Sequence, residues 1–155
     1  MLERYTDYIY HCLKCGACRI AYQTYEEICP SGLRFGFDSY YAIGRIEIAR
    51  AILEGKLKIT TKTAHRILTC TSCGACNEQC NSAMGLKPLE VIEELKRMVV
   101  ESGFVPSKVR VFLENVVKFG NPYGEARSRR GVWAGEVGVR HIKPGDDFLL
   151  LIGCV

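Results

Sequence analysis

The chain has 155 residues, about one ordinary domain in length, and is 48% hydrophobic and 25% charged with a mean hydropathy near zero, which excludes the disordered and fibrous classes. Its net charge of +4 comes with no nucleic-acid-binding signature, so no nucleic-acid partner is expected. The longest uncharged apolar run near either end, residues 148–155, is far short of the roughly 20 residues of a membrane-spanning helix. Met1-Leu2-Glu3-Arg4 runs into polar and aromatic residues without the apolar core of a secretory signal, so a reducing, cytoplasmic setting is expected.

In chain order, the spacing of Leu2, Tyr5 and Ile9 predicts a short helix leading into the first cysteines. Asp38 is expected to cap a helix with Ala42, Ile46, Ala49 and Leu53 on one face, ending before Gly55. Thr60 or Thr61 starts another, carrying Ala64, Ile67 and Leu68 toward Cys70. Pro88 suits the first turn of a helix with an Ile92, Leu95, Val99 stripe, a Glu93–Arg97 pair four residues apart, and Gly103 at its end. From about Ser107 a further helix places Val109, Phe112, Val116 and Phe119 on one face and stops at Gly120-Asn121-Pro122. These stripes are read as core. Residues 120–145 hold six glycines and the run Arg127, Arg129, Arg130, which reads as an irregular connector with either a solvated loop or a dock for an acidic partner. Pro144-Gly145-Asp146-Asp147 predicts a turn, and the apolar residues from Phe148 predict a buried strand whose sheet lies on another subunit or further along a longer polypeptide.

Nine cysteines in 155 residues fall below the roughly 8–10% of a disulfide scaffold. Eight form two groups, Cys12, Cys15, Cys18, Cys29 and Cys70, Cys73, Cys76, Cys80; Cys154 stands alone. Cys12-Leu13-Lys14-Cys15-Gly16-Ala17-Cys18 repeats as Cys70-Thr71-Ser72-Cys73-Gly74-Ala75-Cys76, an internal repeat offset by 58 residues. Three thiolates spaced by two residues suit three corners of an iron–sulfur cube, whereas zinc is usually bound by two separate C-x2-C knuckles. Gly16 and Gly74 leave room for backbone N–H groups to turn toward cluster sulfurs. Lys14 and Arg19 flank the first loop, either to offset cluster charge or simply solvated. A pair of zinc sites, structural disulfides, and a cluster lost or converted to a three-iron form are the other readings of these cysteines.

The bacterial ferredoxin run is C-x2-C-x2-C-x3-C-P, its fourth cysteine ligating the other cluster. The second group matches this spacing but carries Asn81 in place of proline; the first keeps Cys29-Pro30 but stretches the last gap to ten residues. Carrying the crossed ligation over implies Cys12, Cys15, Cys18 and Cys80 on one cluster and Cys70, Cys73, Cys76 and Cys29 on the other. Two such clusters with their thiolates offset the +4 of the polypeptide.

Both cysteine groups, the helices between them and Gly120-Asn121-Pro122-Tyr123-Gly124 resemble the heterodisulfide reductase iron–sulfur family. The similarity is to its small two-cluster subunit and to the N-terminal half of its larger, fused subunit, with the iron–sulfur subunits of glycolate oxidase and anaerobic glycerol-3-phosphate dehydrogenase as relatives. It covers about residues 5 to 125. Ile152-Gly153-Cys154 resembles the opening of the cysteine-rich CCG module that follows in the fused proteins.

The resemblance implies an all-α, alpha-helical ferredoxin-like domain over residues 1–119 holding two [4Fe-4S] clusters, an irregular connector over 120–147, and the start of a truncated CCG-type module over 148–155. It implies an electron-transfer component of an oxidoreductase complex, relaying single electrons, with flavin, CCG-type or cytochrome subunits as partners and peripheral membrane association only through a partner. An N-terminal fragment of a catalytic CCG-containing reductase and a zinc-structured interaction module are the alternatives. No self-contained catalytic site is visible, because His11, His65 and His141 are isolated in sequence.

Overall fold

Helices form where the apolar stripes fall. The computed structural model describes residues 2–80, 85–139 and 143–148 and is mostly helical; among the described residues there is no strand, only one isolated antiparallel bridge between Ile20 and Glu27. The chain divides into two compact units, Met1–Phe104 and Val105–Val155.

In the first unit a 3-10 turn, Leu2–Tyr5, runs into α1 (Thr6–Tyr10), and Leu2 and Ile9 are buried as their spacing implied. The short α2 (Pro30–Phe35) follows Cys29, with Pro30 in the first turn, where its missing N–H costs nothing. The longer α3 (Ala42–Leu53) buries Ala42, Ile46 and Ala49 together with Arg45. Then α4 (Thr61–Leu68) starts under Thr60, whose hydroxyl accepts from the Thr63 N–H at 3.3 Å. The five-residue α5 (Ala75–Gln79) carries Cys76, and α6 (Pro88–Glu101) closes the unit. Leu2, Ile9, Ile46, Ala49, Ala64, Ile67, Val91, Leu95 and Val99 form one cluster drawn from the N-terminal turn, α1, α3, α4 and α6. Each large aliphatic buried there contributes roughly 1.5–3 kcal/mol, and together they lock the helical frame that carries the cysteine loops.

Two local expectations are corrected. Asp38 does not cap α3: it opens the 3-10 turn Asp38–Tyr40, and its carboxylate accepts from Arg19 at 2.8 Å. Arg97 pairs with Glu94 and Glu101 rather than Glu93, because Glu94 is the buried carboxylate on that turn and requires a cation. Arg97 holds the Glu94 carboxyl down to about 2. Glu93 turns instead to Lys96 and Ser72.

The second unit holds α7 (Ser107–Phe119) and the short α8 (Val132–Glu136). The helix from Ser107 lies within Val105–Val155. It stops at Gly120 as expected, but its apolar stripe is not core: it has no buried residue, and Val109, Phe112 and Val116 are exposed. The connector is less irregular than expected, since it holds the turn Arg127–Arg129 and α8. Its arginines are neither free nor simply solvated. Arg127 and Arg130 donate to the carbonyls of Phe119 and Gly120 at the end of α7, where helix carbonyls lack partners, and Arg129 pairs with Glu125 at 2.8 Å. The turn at Lys143–Asp146 is present, the Asp146 N–H donating to the Lys143 carbonyl. The expected strand from Phe148 lies outside the described residues beyond Phe148 itself, which is exposed, as do His141 and Cys154. Among the described residues no helix is long and apolar enough to cross a membrane.

Gly44, in the first turn of α3, lets the backbone of Asp38 and Ser39 lie directly on the helix: a Cβ there would stand 2.1 Å from the Asp38 carbonyl oxygen and 2.6 Å from the Ser39 Cα. Alanine is the better helix former by about 1 kcal/mol. Gly44→Ala is nonetheless expected to destabilise the protein by about 1–3 kcal/mol through this overlap, measured by anaerobic chemical denaturation against the native chain.

Candidate metal centres

The sequence repeat is also a backbone repeat. Lys14 and Ser72 take φ of 55° and 57°, and Gly16 and Gly74 take 78° and 81°, so each loop passes twice through the left-handed region around its middle cysteine. Each loop then enters a helical turn at the same point, Ala17–Arg19 for the first and α5 for the second, which carries the third cysteine, Cys18 or Cys76. The middle cysteines, Cys15 and Cys73, are exposed, and the other six are half-buried.

Two cavities lie beneath the loops. The first, with about 420 Å3 of open space, is lined by Cys12, Cys15, Cys18 and Cys80 and walled by Ile46, Leu86 and Pro88. The second, about 350 Å3, is lined by Cys29, Cys70, Cys73 and Cys76, with Ile28, Leu89 and Ile92 as its apolar wall. Cys18 and Ala42 line both, so the cavities are neighbours.

Each group of four therefore gives three sulfurs to one cavity and one to the other. Cys80 reaches the first from the far end of α5; Cys29 reaches the second from the residue just before α2. The ten-residue gap before Cys29 does not displace it. Residues 20–27 double back through the Ile20–Glu27 bridge, with the Ala21 N–H on the Glu26 carbonyl at 2.8 Å and the Ile28 N–H on the Arg19 carbonyl at 2.9 Å.

Burial and crowding set the chemistry of these thiols. Burial pushes Cys18 up to about 11 and Cys76 up to about 12 and raises Cys12 as well. The sulfurs that add to the rise follow the cavities: Cys80 and Cys15 act on Cys12 and Cys18, while Cys70, Cys73 and Cys29 act on Cys76, joined by Cys18 across the shared wall. Four thiolates facing one another in such a site require cationic metal among them. Among the described residues no three His, Cys, Asp or Glu side chains stand close enough to hold a single metal ion. A tetrahedral zinc draws its sulfurs to about 2.3 Å from one centre, whereas among the described residues no three of these sulfurs are gathered that closely. All-thiol donors around apolar-walled space fit a polynuclear iron–sulfur group.

The charged residues near the loops are engaged. Lys14 pairs with Glu47 at 2.8 Å, and Arg19 binds Asp38 and Glu27 while lying over the Tyr41 ring, so neither is simply solvated. His65 meets the Tyr40 hydroxyl at 3.3 Å and packs on Phe35, and His11 contacts the Asp7 carbonyl. Sequence reasoning missed Arg45 and Ser31, both buried near the second cavity. The signal was an arginine on the apolar face of α3, three residues from Ala42 and four from Ala49.

Gly74 has open space around the position of a Cβ, so Gly74→Ala isolates the cost of its left-handed backbone. A stability loss of about 1–2 kcal/mol is expected, read by denaturation, with faster iron loss to a chelator than from the native chain.

No curated protein and no solved structure matches the chain. Residues 8–84, which contain the eight grouped cysteines, match the family model of the 4Fe-4S dicluster domain, so this segment is similar to iron–sulfur proteins.

Proposed function

We propose that this chain is an electron-transfer module that holds two [4Fe-4S] clusters within a heterodisulfide reductase-like oxidoreductase complex. The observation that supports the reading is the gathering of eight thiols around two neighbouring cavities, four lining the first and four others the second, which shares Cys18 with the first. Cys12, Cys15, Cys18 and Cys80 hold one cluster; Cys29, Cys70, Cys73 and Cys76 hold the other. Such a group, when bound, takes up and returns one electron at a time.

The chain's own residues supply confinement and approach. Ile46, Leu86 and Pro88 on one side, and Ile28, Leu89 and Ile92 on the other, keep water from most of each site. Cys18 and Ala42 form the short partition between them. Cys15 and Cys73 bring one corner of each site to the surface, where a redox partner approaches without crossing the helical frame. The two histidines among the described residues are engaged by tyrosine and backbone groups, and no acid–base pair lines either cavity. In this reading substrate chemistry belongs to partner subunits, flavin-bearing, CCG-type or cytochrome, in a cytoplasmic complex that meets a membrane only through a partner.

Anaerobically purified protein is expected to be brown and to contain about eight iron atoms and as much acid-labile sulfide per chain; stoichiometric zinc without sulfide would overturn the reading. Cys80→Ser is expected to remove the cluster shared with Cys12, Cys15 and Cys18 and to spare the other. Iron analysis with EPR checks this, and loss confined to the other cluster would refute the crossed assignment.

A further inference from the structure

Arg45 is 1% exposed on α3, at the wall of the second cavity. Its guanidinium donates to four groups: the carbonyls of Tyr40 at 2.5 Å and Arg66 at 2.9 Å, and the hydroxyls of Ser31 at 2.7 Å and Thr69 at 3.3 Å. All four acceptors are uncharged. Among the described residues no carboxylate forms an ion pair with it. A buried cation without a counter-ion is costly, yet this one is held by four hydrogen bonds beside a space lined by Cys29, Cys70, Cys73, Cys76 and the shared Cys18.

The other cations at the two loops are paired with carboxylates in place, Arg19 beside the first with both Asp38 and Glu27. At the first, Lys14 is bound to Glu47. At the second, Lys96 is bound to Glu93, both on Ser72. Arg45, at the second site, is instead buried on neutral acceptors. It also frees a hydrogen-bond donor. Ser31, buried beside it, donates to the Tyr40 carbonyl at 2.6 Å and lies 3.7 Å from the Cys29 sulfur, which approaches the same carbonyl at 3.6 Å. Once Cys29 is a thiolate it has no proton for that carbonyl; with Arg45 donating to the carbonyl, the Ser31 hydroxyl can rotate its single proton from the carbonyl to the sulfur.

We propose that Arg45 is the built-in counter-charge of the Cys29, Cys70, Cys73 and Cys76 site, acting directly and by positioning Ser31, so that this site is reduced at a higher potential than its neighbour. The inference rests on the reading that both sites hold [4Fe-4S] clusters. Net charge and hydrogen bonds to sulfur are the levers that set such potentials: a fixed cation and an added donor both favour the more negative, reduced form. Reduction adds one electron from an external reductant, with no bond made or broken and no proton transferred. An electron entering either site therefore comes to rest at the second.

The test is an EPR-monitored redox titration with dithionite of the native chain, Arg45→Gln, Arg45→Lys and Ser31→Ala, each purified anaerobically with iron and sulfide measured. Arg45→Gln is expected to shift one of two reduction steps at least tenfold toward the oxidised form, about 59 mV for one electron, leaving the other in place. Arg45→Lys, which keeps the charge, stays near native, and Ser31→Ala moves the same step by less. The step that moves must be the one that survives in Cys80→Ser. Loss of one cluster from Arg45→Gln with its retention in Arg45→Lys also supports the inference, since the thiolate site then requires the cation. Unchanged potentials in Arg45→Gln, equal effects of Gln and Lys, or a shift of the other step would overturn it while leaving the cluster reading intact. Absence of iron and sulfide from the native chain would overturn both.

Discussion

Crowding of sulfur in half-buried pockets is the constraint on which the rest of the first unit depends. Six of the eight paired cysteines are half-buried, and burial alone drives Cys18 and Cys76 strongly toward the neutral thiol. Turning four such thiols into thiolates facing one cavity is prohibitive without positive metal between them. The features around the cavities answer this problem. Apolar walls restrict water, left-handed loop residues turn the backbone around each middle cysteine, and a buried arginine stands at the wall of the second site.

The crossed contribution of Cys29 and Cys80 joins segments that are distant in sequence. On the proposed ligation, metal bound at either cavity would tie the first loop to the end of α5, or the second loop to the start of α2, and so couple cofactor binding to folding. The apolar cluster of the N-terminal turn, α1, α3, α4 and α6 gives the frame its shape. Asn77 links the second loop to that frame, its side chain accepting from the Leu89 N–H at 2.9 Å in the first turn of α6. A change in the helical core is therefore transmitted to the cysteine loops.

The second unit shows what hydrophobic periodicity does and does not say. Val109, Phe112 and Val116 sit at helical spacing and form a helix with the expected ends, yet all three are exposed. Periodicity specifies that one face of a helix is apolar; it carries no information about what covers that face. The arginines of the following segment read in sequence as a solvated loop or a docking run, and they instead satisfy the carbonyl end of α7 and a nearby glutamate. Local charge density does not reveal a backbone acceptor several residues away.

Cysteine spacing, the 58-residue repeat, the N-cap at Thr60 and the first-turn Pro88 were legible because each is carried by short stretches of neighbouring residues. They sufficed for a mostly helical frame bearing two cysteine groups. Tertiary structure decided the rest. It placed Cys29 at the second cavity despite the ten-residue gap, by folding residues 20–27 back on themselves. It chose Glu94 over Glu93 as the partner of Arg97, because burial determines which carboxylate most needs a cation. It also brought Arg45, Ser31 and the Tyr40 carbonyl together beside Cys29. Those choices depend on contacts between segments far apart in the chain, and helical or loop spacing holds no record of them.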